Sequence, residues 1–247
     1  MRPAEAERMT SYDLYLESGP KHRKTMVHVL DLLGCVAVGP TTEEVLAATP
    51  EAIQAYLRFL HRIGELVAPD APISTRIAEH ITKGEWLGNG SPYLMFEPDW
   101  QPVSDEETKL LLHRFRSLCE ELAAWAATQT DRQLDAVPDF RGRTARAILL
   151  HILGAQGSYL AAALGGAPGF SRLHGVAERG ELDLATALRR SGEMATDRVQ
   201  ATTAEERSAV RHLPAGPRTF RKALRRMLEH DWEHLAELAR RPDGPRL

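Results

Sequence analysis

Residues 104–241 contain four stretches in which apolar residues recur at helical spacing, and this half of the chain reads as helix only. The first, about 104–130, places Leu110, Leu111, Phe115, Leu118, Leu122 and Trp125 on one side. The second, about 144–164, places Ile148, Ile152, Ala155 and Tyr159 on one face. The third, about 183–202, carries Leu184, Leu188 and Met194. The fourth, about 217–241, has Pro217 near its start and turns Phe220, Leu224, Met227, Leu235 and Leu238 inward. Each helix must bury its apolar stripe, and four of them in sequence predict a four-helix bundle. The connections 165–182 and 203–216 are rich in Gly, Pro and charge.

Residues 10–97 follow a different pattern and read as mixed strand and helix. Tyr12–Glu17 alternates as a strand, and Ser18-Gly19-Pro20 signals a turn. Thr25–Leu30 is a second strand that makes a hairpin with the first, and Gly34–Gly39 extends it or forms a third. Thr41 and Glu44 have the spacing of a capping box at a helix start. Pro50 is expected to interrupt that helix, with Thr49 capping a restart through Ile53, Tyr56, Leu57, Phe59, Leu60 and Ile63. Gly64 ends it, and Ile73–Ile81 reads as a further short strand. Between the halves, Pro98 and Pro102 block regular helix. The expected organisation is therefore an α+β two-domain chain: an α/β domain at 10–97, a linker at 98–103 and a helical bundle at 104–241.

Composition removes several classes. With 31 Lys and Arg against 34 Asp and Glu, the net charge of −3 argues against a general nucleic-acid binder. Apolar residues make up 43%, enough for a packed core, which excludes global disorder. No run approaches the roughly 18 apolar residues of a membrane span. The N-terminal Met-Arg-Pro-Ala-Glu-Ala-Glu-Arg carries acids and lacks the apolar core of a signal peptide. Cys35 and Cys119 lie far apart and form no CxxC pair, so neither a disulfide framework nor a cysteine zinc site is expected. A cytoplasmic location follows as the default.

The chemistry lies in the histidines. His230 and His234 are four residues apart in the fourth helix, so both imidazoles emerge on one face. At about 100° per residue they fall on the shoulder of the inward stripe, beside Ala223, Met227 and Leu238. Two imidazoles one turn apart make a bidentate metal platform, and a third ligand must come from another helix. His151 is the best candidate, on the stripe shared by Ile148, Ala155 and Tyr159, where an inward ring needs a partner.

Other residues carry two readings each. Asp231 could orient an imidazole, act as a general base, or pair with a neighbouring helix. Glu229 and Glu233 read as solvated, and Tyr159 as core or pocket wall. Asp13 and Asp31 are too few acids for a two-metal nuclease. Cys35 and Cys119 read as inert buried thiols. The basic runs Lys21–Lys24 and Arg218–Arg226 read as solvated faces, with an anion contact as the alternative. Arg141-Gly142-Arg143 precedes a helix start and could meet an anion there.

The second half resembles the DinB-like (YfiT-like) superfamily over about residues 104–240. The resemblance rests on Ile148-Leu149-Leu150-His151-Ile152-Leu153-Gly154-Ala155 and on His230-Asp231-Trp232-Glu233-His234-Leu235. It implies that His151, His230 and His234 form a facial triad for a divalent metal, zinc or nickel, with open positions for water. It also implies one of two activities known among relatives: metal-dependent hydrolysis, or transfer and isomerisation using a low-molecular-weight thiol such as mycothiol or bacillithiol.

The first half resembles the HicB-like antitoxin fold, a degenerate RNase H-like module. The residues that carry this are Tyr12–Glu17, Val29-Leu30-Asp31-Leu32-Leu33-Gly34-Cys35, Gly39, Thr42-Glu43-Glu44-Val45-Leu46 and the helix through Tyr56-Leu57. It implies an accessory domain that pairs with a protein partner or a second copy. HicB antitoxins carry a C-terminal DNA-binding module, and here a bundle stands in its place. The leading expectation is a metal-dependent enzyme acting on a small molecule, with no membrane or nucleic-acid partner. The alternative is a non-catalytic interaction module on a metal-stabilised helical scaffold.

Overall fold

The structure is a computed structural model that describes residues 9–138 and 142–247. The chain divides into two compact units between Phe96 and Glu97. Arg141, half of the anion-contact reading above, lies outside the described residues.

The first unit is a four-stranded sheet with one long helix. Its elements are β1 (Thr10–Ser18), β2 (Arg23–Val29), β3 (Val36–Thr41), α1 (Thr42–Arg62) and β4 (Ile73–Ile81). The strand order is β3-β2-β1-β4. Tight turns make β1, β2 and β3 antiparallel, whereas β4 returns after α1 and pairs parallel with β1. Alternation in β1 buries Tyr12, Leu14 and Leu16. Helix α1 packs on β2 and β3 and buries Ile53, Tyr56, Phe59 and Leu60. Thr41 caps it as the spacing predicts, accepting from the Glu44 amide while its hydroxyl donates to the Glu44 carboxylate.

The expected restart at Pro50 does not occur. Helix α1 runs unbroken through Pro50, and the Thr49 hydroxyl donates to the Val45 carbonyl 2.7 Å away instead of capping a new turn. A buried Thr back-bonded inside a helix is not available as an N-cap. Asp13 is engaged as well: Arg76 donates to both its carboxylate oxygens at 2.9 and 2.8 Å and holds its carboxyl below the usual range. The Asp13 amide in turn donates to Asp31 at 3.2 Å. The two acids therefore do not form an open carboxylate cluster.

The second unit is built on four long helices: α2 (Asp105–Ala127), α4 (Ala145–Leu164), α6 (Leu184–Gln200) and α8 (Phe220–Ala239). Ser104, Thr144, Asp183 and Thr219 cap them, each accepting from an amide in the first turn. Helices α2 and α4 each pack on α6 and α8, so the first two long helices lie across the bundle diagonal. Long connections make that arrangement possible. They carry the short helices α3 (Asp131–Leu134), α5 (Phe170–Glu178) and α7 (Ala204–Ser208), and the hairpin β5 (Arg211–Leu213) with β6 (Gly216–Arg218). Pro217 accordingly sits in β6, and Thr219 opens the last helix.

Most of the expected stripes are buried, but Leu110 is exposed, and Leu112 is buried beside Leu111 in its stead. Met194 is half-buried. Contrary to the sequence expectation, helix α4 is long and apolar enough, by length and composition, to cross a membrane, because its few polar residues are uncharged after Arg146; half of that stretch is buried inside the protein.

The segment read as a linker is bonded into the second unit. Glu97–Trp100 forms a single 3-10 turn, and Asp99 is fully buried. Arg225 donates to both Asp99 oxygens at 2.7 and 2.8 Å and to Glu229 at 2.8 and 3.0 Å. Arg226 donates to Glu229 at 2.7 Å.

The run Arg218–Arg226 is therefore no solvated face: Arg218, Lys222, Arg225 and Arg226 are buried, as is Glu229. Burial works against these charges, but Asp99 and Glu229 hold the Arg225 guanidinium firmly protonated. Lys222 fares differently: burial, then the neighbouring Arg225 and Arg218, bring its ammonium down to about 7.

Candidate metal centre

Helices α4 and α8 pack against each other and bring three imidazoles together. His230 and His234 are one turn apart on α8, with ring centroids 4.5 Å apart and planes at 87°. Their neighbour on α4 is His151, with ring centroids 4.8 Å from His230 and 5.0 Å from His234. The Nε2 atoms of His151 and His230 are 3.0 Å apart. One ring nitrogen from each of the three lies within 4.8 Å of the others.

His151 does not occupy the inward stripe. It is exposed, whereas His230 and His234 are each only 6% exposed. The core of α4 is instead Ile148, Leu149, Ile152, Leu153 and Leu160, so His151 stands at the rim and closes over the buried pair.

Two polar chains hold the buried pair. At His234, Nδ1 lies 2.7 Å from Glu237 Oε2. A carboxylate only accepts, so that contact places the proton on Nδ1 and leaves the Nε2 lone pair free. Arg143 Nη2 donates to the same Glu237 oxygen at 3.0 Å, and the Arg143 carbonyl accepts from Arg241. Burial alone would raise the Glu237 carboxyl, but the His234 hydrogen bond and the charges of His234 and Arg143 bring it down to about 2.

At His230, Nδ1 lies 3.5 Å from Asp231 Oδ1. Both atoms are buried and neither has a hydrogen-bond partner in the structure. The other Asp231 oxygen accepts from Gln156 Nε2 at 2.5 Å. Gln156 accepts in turn from the Ser191 hydroxyl, and its amide lies 3.6 Å from Cys119 Sγ. Full burial, opposed only by the Gln156 hydrogen bond, raises the Asp231 carboxyl to about 8. Asp231 thus bonds across to α4 through an amide, not through an ion pair. Burial, reinforced by the nearby Asp231, also raises the Cys119 thiol, as befits an inert core cysteine.

The same environment favours the neutral form of His151 and His230. Burial, followed by the charges of His234 and Arg143, takes His151 down to about 4. His230 is held well below its ordinary value, by burial first and then by His234 and Arg226. Neutral imidazoles with free lone pairs are the form that binds metal. Two nitrogens on one tetrahedral zinc lie about 3.3 Å apart, close to the spacing of His151 and His230. The donor set therefore fits a divalent ion.

Tyr159 places its ring 5.7 Å from His230 and is half-buried. Glu233 is also half-buried. Sequence reasoning missed Glu237 and the role of Arg143 beside it. The i, i+3 spacing of His234 and Glu237 was the available signal; the link to Arg143, 94 residues away, had none.

Comparison with known proteins adds a family. Residues 107–238, just over half of the chain, match the DinB superfamily. No curated protein matches the chain. Among solved structures, YfiT from Bacillus subtilis is similar over 62% of this chain and 97% of its own, with 19% identity and a TM-score of 0.43. That protein is described as "a probable metal-dependent hydrolase with an unusual four-helix bundle topology".

Proposed function

The chain belongs to the DinB superfamily, and on that premise we propose that it is a divalent-metal-dependent enzyme whose metal is held by His151, His230 and His234. The observation that carries this is the convergence of three imidazoles, from two helices, with donor atoms within 4.8 Å of one another. Zinc and nickel both suit an all-imidazole set. When bound, such an ion supplies Lewis acidity toward a substrate carbonyl, a water or a thiol.

The remaining steps belong to the chain. Glu237, anchored by Arg143, fixes the His234 tautomer and turns Nε2 toward the site. Gln156 holds Asp231 against His230 Nδ1, where the carboxyl accepts or returns a proton as the imidazole needs. His151 is exposed at the rim, the side from which a small-molecule substrate reaches the site. Hydrolysis is the reading nearest to the description of YfiT. Transfer to a low-molecular-weight thiol uses the same open position.

The experiment is metal content by inductively coupled plasma mass spectrometry on untagged protein. About one zinc or nickel per chain is expected, and none, even after metal is added back, sinks the enzyme reading. A second-sphere variant refines it. Glu237→Gln is expected to weaken metal binding about 10–100-fold in a chelator competition, because His234 then loses the acceptor that sets its tautomer.

The first unit is proposed as a HicB-like accessory domain. Its sheet order and single crossover helix support that reading. One observation favours an added binding role: β4 lies at a sheet edge and leaves Ile77 48% exposed, so a protein partner or a second copy could extend the sheet. Were the chain an interaction module alone, variants of the three histidines would keep partner affinity unchanged. A cytoplasmic location belongs to the same proposal, in keeping with the free thiols of Cys35 and Cys119.

A further inference from the structure

Arg143 stands beside the histidines with most of its hydrogen-bonding capacity unspent. It lies just ahead of α4, and its side chain is 41% exposed. Nη2 donates to Glu237 at 3.0 Å and lies 3.4 Å from His234 Nδ1. Nη1 and Nε make no hydrogen bond among the described residues. A guanidinium presents its N–H donors in a fixed planar fork, so one side of that fork is available here.

This arginine is held in place. Glu237 anchors its tip, and its backbone carbonyl accepts from Arg241. Glu237 does not use up its charge, because that one carboxylate also bonds His234 at 2.7 Å. The charge of Arg143 is felt at both His151 and His230, and at His151 it outweighs that of Glu237. Arg225 shows what the rest of the fork accepts. It donates through Nε and Nη2 to one carboxylate, Asp99, and through Nη1 to a second, Glu229. Arg143 has one carboxylate and capacity for another.

We propose that Arg143 determines specificity: the substrate bound at the histidine centre carries a carboxylate that takes the unspent side of this guanidinium. The proposal rests on the metal reading above and names the substrate class that reading leaves open. It also moves the anion contact read from the sequence, from the start of α4 to the Arg143 side chain. Nη2 is in reach of the His234 ring itself, so the carboxylate and the reacting group belong to one small molecule, a few bonds apart. A charge-assisted bond to such a fork is both strong and selective in geometry. An ammonium in that place meets a like charge, and a neutral amide forms the weaker, uncharged kind of bond.

The test uses the full chain loaded with zinc and titrated calorimetrically with three hydroxamates of similar length. All bind zinc through the same head. The far end is a carboxylate in succinic monohydroxamate, the matching primary amide in succinamic hydroxamate, and an ammonium in β-alanine hydroxamate. The carboxylate probe is expected to bind at least about tenfold more tightly than its amide, and the ammonium probe more weakly than either.

Zinc itself attracts an anion, so the variants carry the assignment to Arg143. In Arg143→Gln the carboxylate-to-amide ratio is expected to fall at least about fivefold. Taking the ratio within each protein cancels any change in how the metal is held. Arg143→Lys keeps a charge beside Glu237 but loses the fork, and its ratio is expected to lie between the other two.

A ratio of one or below in the native protein overturns the proposal. A ratio that both variants leave unchanged does so too, since the preference then belongs to zinc alone. Zinc-loaded protein that binds no hydroxamate also overturns it. Native protein that holds no zinc fails at the metal reading instead, and metal analysis shows this before any titration.

Discussion

His230→Ala is expected to abolish stoichiometric metal binding while leaving the bundle folded. In a chelator competition the affinity should fall by more than the roughly hundredfold loss typical of a lost outer-sphere partner, since a ligand itself is gone. The fold should survive for a local reason. His230 Nδ1 is buried without a hydrogen-bond partner, and its removal relieves that cost while leaving a modest cavity. The metal-free proteins should therefore differ by no more than about 1 kcal/mol in unfolding free energy. Their response to metal should differ sharply. A ligand that binds only the native state raises the melting temperature with concentration, so added zinc should stabilise the native chain and leave the variant unmoved. A variant that retains a full equivalent of metal would remove His230 from the ligand set.

Asp99→Ala should produce the largest loss of stability of any single exchange in the second unit, about 3–5 kcal/mol. Asp99 is fully buried and accepts two hydrogen bonds from Arg225, which is itself only 2% exposed. Without it, Arg225 must share Glu229 with Arg226, and a buried guanidinium is left short of counter-charge. Lys222 stands beside the same carboxylate and would also lose that favourable field. Denaturant unfolding read by circular dichroism provides the measurement. The double variant Asp99→Ala with Arg225→Met should recover much of the loss, because removing both charges leaves no ion unpaired. A cost below about 1 kcal/mol for Asp99→Ala would show that the network is relaxed by water or by other partners.

Features governed by short spacing were visible in the sequence. The i, i+4 histidines of α8, the isolated histidine in an apolar α4 and the Thr41 cap each involve residues within a turn or two. Local geometry places them wherever the rest of the chain goes. Pro50 misled because its cost to a helix depends on what the neighbours supply: Thr49 turned its hydroxyl to Val45, and the helix continued. The buried basic run was unreadable for a different reason. Whether Arg225 faces water or core depends on Asp99, 126 residues away in a segment that looked like a linker. The position of His151 at the rim depended on how α4 and α8 meet, and periodicity within one helix cannot give that. The Gly and Pro of the long connections masked α5, whose first turn packs on Gly157.

Helix α4 bears one more consequence. After Arg146, its only side chains able to hydrogen-bond are His151, Gln156, Ser158 and Tyr159; three lie at the histidine cluster or its supporting network, and the Ser158 hydroxyl donates back to the Gly154 carbonyl. Everything else on the helix is apolar or glycine. Its solubility is therefore lent by its neighbours. When heat or denaturant parts α4 from α8, a span of membrane-crossing length is released into water, where it has no charged side chain to keep copies apart. Heated solutions of this protein should cloud and fail to recover on cooling, so its working lifetime is set by how fast that seam opens and not by its equilibrium stability.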